Sequence, residues 1–298
     1  MRYFRNVFES FDHVAFLVVL TFLELFSFVN GAQAQAPSKV AQNLSDQLEI
    51  QKDGEYTFET LFNDNFQNTP QAPVISQILV KGRYIYACAD NKSVYRLELE
   101  KNALDNDNQK DVREVFNEAD SWIRAIATTP ELDEIATISQ KGQLNVFRVV
   151  DEANRQTFVK KSEIMVKTNG AHGLVYSPDG KYIAVCGSDP YISIYKIGRD
   201  VGGERIDVSL WKTLSVTNSV STTIQFSPDG TMLAVGDRNG VVRIWRFNDG
   251  KLTEPFLKLT LNDEKSNVGR RVRAVAFNAN SALIAIGGDS SRILVYDV

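Results

Sequence analysis

The 298-residue sequence predicts an all-β protein built from an internal repeat, and three observations carry that prediction. The first is near-repetition: "YSPDGKYIAV" at Tyr176–Val185 returns as "FSPDGTMLAV" at Phe226–Val235. The second is period-two alternation in "YISIYKI" (Tyr191–Ile197) and "VVRIWRF" (Val241–Phe247), the pattern of a half-buried strand. The third is turn chemistry between such runs. "SPDG" (Ser177–Gly180, Ser227–Gly230) pairs a proline-fixed φ with a glycine that accepts positive φ, and Asn239–Gly240 suits a primed hairpin turn.

The repeat extends through most of the chain. Five segments align on the apolar residue that opens the second strand of each unit: Ile85, Ile135, Ile183, Leu233 and Ile284, spaced by 50, 48, 50 and 51 residues. Twelve residues after each anchor stands a large apolar residue, Leu97, Phe147, Tyr195, Trp245 or Tyr296, four of them aromatic. A unit of about 50 residues then reads as strand a, a tight turn, strand b, a short turn, strand c and a loop to an outer strand. Strands a to c fall near 73–97, 122–148, 171–197, 220–247 and 271–298. Outer strands are expected at Arg113–Asn117, Thr157–Lys161, Leu210–Val216 and Phe256–Leu261.

Units of this length, with an aromatic ending strand c and "FSPDG" between a and b, resemble the WD-repeat β-propeller family over residues 56–298. The resemblance implies four-stranded antiparallel blades, of which five are recognisable. It also implies that an N-terminal outer strand latches the ring. "YTFETLF" (Tyr56–Phe62) is the segment expected to do this, since the last unit ends at Val298 after strand c. The motif is degenerate. The family's Trp-Asp pair survives in part as Trp245–Arg246 and Tyr296–Asp297, and its Gly-His pair is absent from every unit. The family's buried Asp-His-Ser/Thr-Trp network therefore cannot be assumed here.

The N-terminus differs in kind. Arg2 and Arg5 precede the apolar run Val14–Val29, and "NGAQAQAP" follows. A basic start, an apolar core and a small-x-small site predict a signal peptide over residues 1–34, cleaved near Ala34, then a linker over 35–55. An uncleaved membrane anchor is the alternative; the run is short for a span and contains Glu24. No membrane span is expected in the mature chain, which would be periplasmic or secreted.

Chemistry is sparse. Removing residues 1–34 leaves one histidine, His172, so a multi-histidine metal site is excluded and a catalytic triad would depend on it. The acids offer no evident catalytic pair: Asp179 and Asp229 belong to "SPDG", and Asp90, Asp189, Asp237 and Asp289 recur at the b–c turn, where an aspartate bonds the backbone two residues on. "DNDNQKD" (Asp105–Asp111) lacks the glycine and bidentate glutamate of a calcium loop. "GRDVGGER" (Gly198–Arg205) opens no helix on which a phosphate could sit. Cys88 and Cys186, in strands b of non-adjacent units, are expected as buried thiols rather than a disulfide. No catalytic residue, metal or cofactor is predicted.

What remains is a face. The resemblance implies that loops before strand a, with the b–c turns, form the surface that takes proteins or peptides. The matching positions give Trp122, Arg124, His172, Arg271 and Arg273, residue types enriched at binding hot spots. The expectation is a non-enzymatic protein-interaction scaffold acting outside the cytoplasm. The second reading is an extracytoplasmic propeller that binds or processes glycans, an anionic glycan being the ligand suited to the basic stretch Glu264–Arg273. With net charge −4 and no aromatics interleaved in that stretch, nucleic acid is not a predicted partner.

Overall fold

The computed structural model describes residues 74–81, 84–98, 112–116, 119–152, 155–201, 205–216, 219–247, 252, 255–261, 271–289 and 293–298. Their regular structure is entirely β-strand. Five antiparallel sheets follow one another along the chain. Blade 1 holds β1 (Ile75–Lys81), β2 (Tyr84–Ala89), β3 (Val94–Glu98) and β4 (Val112–Phe116). Blade 2 holds β5 (Ile123–Thr128), β6 (Glu134–Ser139), β7 (Gln143–Glu152) and β8 (Arg155–Met165). Blade 3 holds β9 (Ala171–Tyr176), β10 (Tyr182–Gly187), β11 (Tyr191–Arg199) and β12 (Ile206–Ser215). Blade 4 holds β13 (Ser221–Phe226), β14 (Met232–Asp237), β15 (Val241–Arg246) and β16 (Leu257–Thr260). Blade 5 holds β17 (Val272–Phe277), β18 (Leu283–Gly288) and β19 (Leu294–Asp297).

The innermost strand of each blade packs on the next, β1 on β5, β5 on β9, β9 on β13 and β13 on β17. All five line one central cavity. The molecule is the expected five-bladed β-propeller. Residues 1–34, the linker 35–55, the segment Tyr56–Phe62 and Asp105–Asp111 lie outside the described residues.

The twelve-residue spacing is a cross-strand pair. Ile85 faces Leu97, Ile135 faces Phe147, Ile183 faces Tyr195, Leu233 faces Trp245 and Ile284 faces Tyr296, one pair per blade. A b–c hairpin of fixed loop length holds that register. Strand b is the most enclosed element: β6, β10 and β14 are buried at all six positions, because both of their faces pack against neighbouring blades. The resulting cores lie between blades 1 and 2, 2 and 3, 3 and 4, and 4 and 5. Phe147, Tyr195 and Trp245 are buried in them. Each fully buried large side chain of this kind contributes about 2 to 3 kcal/mol by area removed from water.

The a–b turn repeats more widely than its sequence. Ser177 and Ser227 accept the backbone N–H of Tyr182 and Met232 on Oγ, each at 2.9 Å, and Gly180 and Gly230 take φ of 68° and 72°. Blade 2 builds the same turn from Thr129 and Leu132 (φ 58°), with Thr129 Oγ1 accepting Glu134 N–H at 3.2 Å. Blade 5 builds it from Asn278 and Ser281 (φ 60°), with Asn278 Oδ1 accepting Leu283 N–H at 2.9 Å.

Two expectations need correction. The outer strands of blades 2 and 3 are longer than Thr157–Lys161 and Leu210–Val216 suggested, because β7 and β11 run past the blade body as hairpins paired from Arg155 and Ile206 onward. The recurring turn aspartates also do not share one role. Asp237 alone caps its own turn, accepting Asn239 N–H at 2.8 Å and Val241 N–H at 2.9 Å. Asp90 instead accepts Val74 N–H at 3.0 Å, and Asp189 accepts Thr168 Oγ1–H and Asn169 N–H at 2.6 and 2.9 Å. Asp289 pairs with Arg273. Three of the four therefore tie the b–c turn to the segment before strand a or to strand a itself, which is closer in space than the next turn residue.

Cys88 and Cys186 are free and buried in different interblade cores. Burial raises both thiol pKa values, Cys186 to about 12. Trp245 Nε1 finds no acceptor among the described residues. The indole of the best-preserved repeat thus contributes packing, with no hydrogen bond from Nε1 among the described residues.

Candidate functional site

One hydrogen bond recurs in every blade and builds the site. The fifth residue after each anchor donates its N–H to a carbonyl in the loop before strand a. The pairs are Asp90 to Val74 (3.0 Å), Gln140 to Trp122 (2.7 Å), Ser188 to Gly170 (2.9 Å), Arg238 to Val220 (2.9 Å) and Asp289 to Arg271 (3.0 Å). Each bond clamps the b–c turn onto the start of strand a at the same end of the blade. Two residues beyond each acceptor, strand a presents Ser76, Arg124, His172, Thr222 and Arg273. All five line the central cavity, of about 470 Å³, and Arg238 and Arg271 join them. That volume lies within the range of small-ligand sites.

The predicted residues therefore divide. Arg124, His172, Arg271 and Arg273 come together at one mouth of the channel. Trp122 does not line the cavity; it stands on the adjacent loop with 49 % of its surface exposed, so it does not plug the ring. Arg238 was not singled out from the sequence. Its signal was its place directly after Asp237 in a b–c turn.

The electrostatics at the mouth are one-sided. Among the described residues, the lining includes four arginines at this end, Lys81 at the far end of β1, and no Asp or Glu, on a chain of net charge −4. Arg273 is held by Asp289, with Nε 2.6 Å from Oδ1. Burial lowers the pKa of Arg124. Burial, with Arg273 and Arg238 nearby, lowers that of Arg271. His172 Nε2 sits 3.1 Å from Ser188 Oγ. Its partial burial, then the fields of Arg124, Arg238 and Arg271, pushes its pKa down to about 4, so the ring is neutral at pH 7. Thr222 Oγ1 donates across to Val272 O at 2.5 Å, and Ser76 Oγ to Ile123 O, tying blade 4 to 5 and blade 1 to 2 at this end.

Chemically, the mouth presents cationic forks and hydroxyls. Among the described residues Tyr176 is the one Phe, Tyr or Trp lining the cavity, and its hydroxyl is taken by Glu134 at 3.2 Å. The described residues thus do not present the repeated acid-and-aromatic pockets that the glycan reading requires. Among them, no three His, Cys, Asp or Glu side chains come together as a metal site. No helix among the described residues is long and apolar enough to cross a membrane.

The family model described as WD domain, G-beta repeat, matches residues 164–196 and 210–246, in blades 3 and 4. Three curated proteins are similar over part of their length. A subunit of chromatin assembly factor 1 of Gallus gallus is 31% identical over 105 residues, covering 33% of this chain and 18% of its own length. Apoptotic protease-activating factor 1 of Rattus norvegicus is 32% identical over 71 residues, 24% of this chain and 6% of its own length. Meiotic recombination protein rec14 of Schizosaccharomyces pombe is 28% identical over 122 residues, 41% of this chain and 35% of its own length. The chain therefore spans about a third or less of the length of each relative.

Proposed function

The chain belongs to the WD-repeat family, and on that premise we propose that it is a non-enzymatic protein-interaction scaffold whose binding face is the channel mouth around Arg124, His172, Arg238, Arg271 and Arg273, with Trp122 on its rim. The observation that carries this reading is the clamp repeated in all five blades. It fixes loop and turn backbones at one end and leaves half-buried arginines facing an open cavity. Arg and Trp offer large, rigid contact area and directional donors, the composition of interface hot spots. His172 and Ser188 are within hydrogen-bond reach, but Ser188 does not line the cavity and a ring with a pKa of about 4 is a poor base at neutral pH. The reading is therefore binding rather than catalysis.

Capture experiments test it. The chain and its Trp122→Ala/Arg271→Ala/Arg273→Ala variant serve as parallel baits in a native extract. The expected outcome is a protein retained by wild type and lost by the variant, with melting temperatures within a few degrees. Equal retention by both would place the binding face elsewhere, and a large fall in melting temperature would make these residues structural.

The site of action proposed is outside the cytoplasm, which rests on the signal-like residues 1–34. N-terminal sequencing of the natural protein should begin at Gln35; a chain beginning at Met1 in the cytoplasmic fraction would overturn it.

A further inference from the structure

The described arginines with partial burial are mostly paired. Arg199 Nη2 donates to Glu134 Oε2 at 2.8 Å, Arg243 Nη1 to Asp237 Oδ2 at 2.6 Å, and Arg273 to Asp289. The channel mouth breaks that pattern. Arg124, Arg238 and Arg271 form no ion pair or hydrogen bond with any described side chain, although Arg124 and Arg271 are half-buried and all three line one cavity. Three guanidinium groups without an ion-pair partner among the described side chains converge on a space of about 470 Å³ and repel one another, and Arg124 and Arg271 are partly stripped of water. The arrangement is unfavourable in the free protein and becomes favourable when a compact anion enters.

We propose that this mouth is a binding site for a phosphate-class oxyanion carrying at least two negative charges, a phosphomonoester or a polyphosphate. The inference deepens the scaffold reading and rests on it for the choice of face. The charge count selects the class. A single carboxylate meets one guanidinium fork, whereas a phosphate dianion offers three terminal oxygens that accept from two or three forks at once. His172 adds an imidazole N–H donor without adding charge, because its burial first, and then the same arginines, keep the ring neutral. Among the described residues no carboxylate lines the cavity, and Asp289 takes up Arg273 alone, which leaves the forks of Arg124, Arg238 and Arg271 to the anion. Localised charge at one mouth, rather than a stripe across blades, fits a compact anion better than a nucleic-acid strand.

The test is calorimetric titration of the full chain with sodium tripolyphosphate. In parallel, a phosphoserine peptide library and its unphosphorylated counterpart are applied to the immobilised chain. At least one phosphate probe should bind with one site per chain, and its affinity should fall as sodium chloride rises. Arg271→Gln and Arg238→Gln should each weaken it by about ten- to a hundredfold, the loss expected for one charge-assisted bond. Arg205→Gln, removing an exposed arginine that pairs with Asp207 away from the channel, should bind as wild type. In the bound state the His172 ring should titrate above its free value of about 4, because the anion offsets Arg124, Arg238 and Arg271. Should Arg271→Gln unfold, Arg238→Gln, on an exposed turn, still reports.

Tripolyphosphate binding without phosphopeptide retention identifies a free polyphosphate; the reverse identifies a phosphorylated partner side chain. Failure of both probes, or equal binding by every variant, overturns the inference. Partner capture that survives while both probes fail overturns the phosphate class alone. Phosphate binding with no partner captured overturns the scaffold reading alone.

Discussion

At the scale of single residues, the decisive features are charges held where water is scarce. Asp237 is fully buried and accepts from two backbone amides and Arg243, so it organises the b–c turn that carries Arg238. Asp237→Ala strands a partly buried guanidinium and two amides, and should cost about 3 kcal/mol in urea unfolding. A loss below about 1 kcal/mol would show that water replaces the carboxylate freely. His172 makes a prediction in pH. Its folded pKa of about 4 lies below its ordinary value of 6.5, so between these limits the unfolded chain binds the extra proton. Its contribution is complete above pH 6.5 and is lost as pH falls toward 4. The groups facing it are Arg124 from β5, Arg238 from the blade 4 turn and Arg271 before β17, and none of them titrates in that window. Urea midpoints should therefore fall more steeply over pH 6.5–4 for wild type than for His172→Gln; parallel curves would contradict the assignment. His172 was legible from the sequence because register alone placed it beside Arg124 and Arg273. Its depressed pKa was not, because that depends on burial in the assembled ring and then on arginines from three other blades.

At the scale of strands and turns, spacing carried more information than residue identity. The anchor and the residue twelve positions on could be aligned in five units, and they are the facing pair at the heart of each b–c hairpin. "SPDG" marked the a–b turn in two blades only. Thr129 and Asn278 form the same turn, because the geometry asks for an oxygen-bearing side chain at its first position and tolerates Leu132 and Ser281 at positive φ. The long β8 and β12 hairpins were underestimated for a physical reason. Their distal halves pair with β7 and β11 beyond the end of strand b, so the repeat register of strands a to c does not mark them, although Phe158, Ile197 and Ile206 there pack on the interblade cores. Strand b is the least tolerant element. A Cβ at Gly236 would overlap the Val272 side chain and press on Thr223 Cγ2 at 2.8 Å, because Val272 of blade 5 packs directly against strand b of blade 4 there. Gly236→Ala should destabilise by about 1 to 3 kcal/mol through overpacking, read as a lower thermal midpoint. An unchanged midpoint would mean that blade 5 can move outward without loss.

At the scale of the whole molecule, five blades bring together residues that are far apart in sequence. Ser76, Arg124, His172, Thr222 and Arg273 occupy equivalent positions in successive blades, and the ring converts that equivalence into one polar mouth. It is asymmetric: arginines from blades 2, 4 and 5 converge, while among the described residues no Asp or Glu lines the cavity of a net-negative chain. The sequence disclosed the ring and four of the mouth residues, since both follow from register. It did not disclose Arg238, which reaches the cavity from a turn rather than a strand, nor the clamp, which is made by backbone. Whether this mouth is the binding face is read out by hydrogen–deuterium exchange of the chain with and without its captured partner. Slowed exchange is predicted in peptides covering 122–124, 170–172, 238–240 and 271–273, with β8 and β12 unchanged. Protection confined to β8 and β12, with the mouth exchanging as in the free chain, would contradict it.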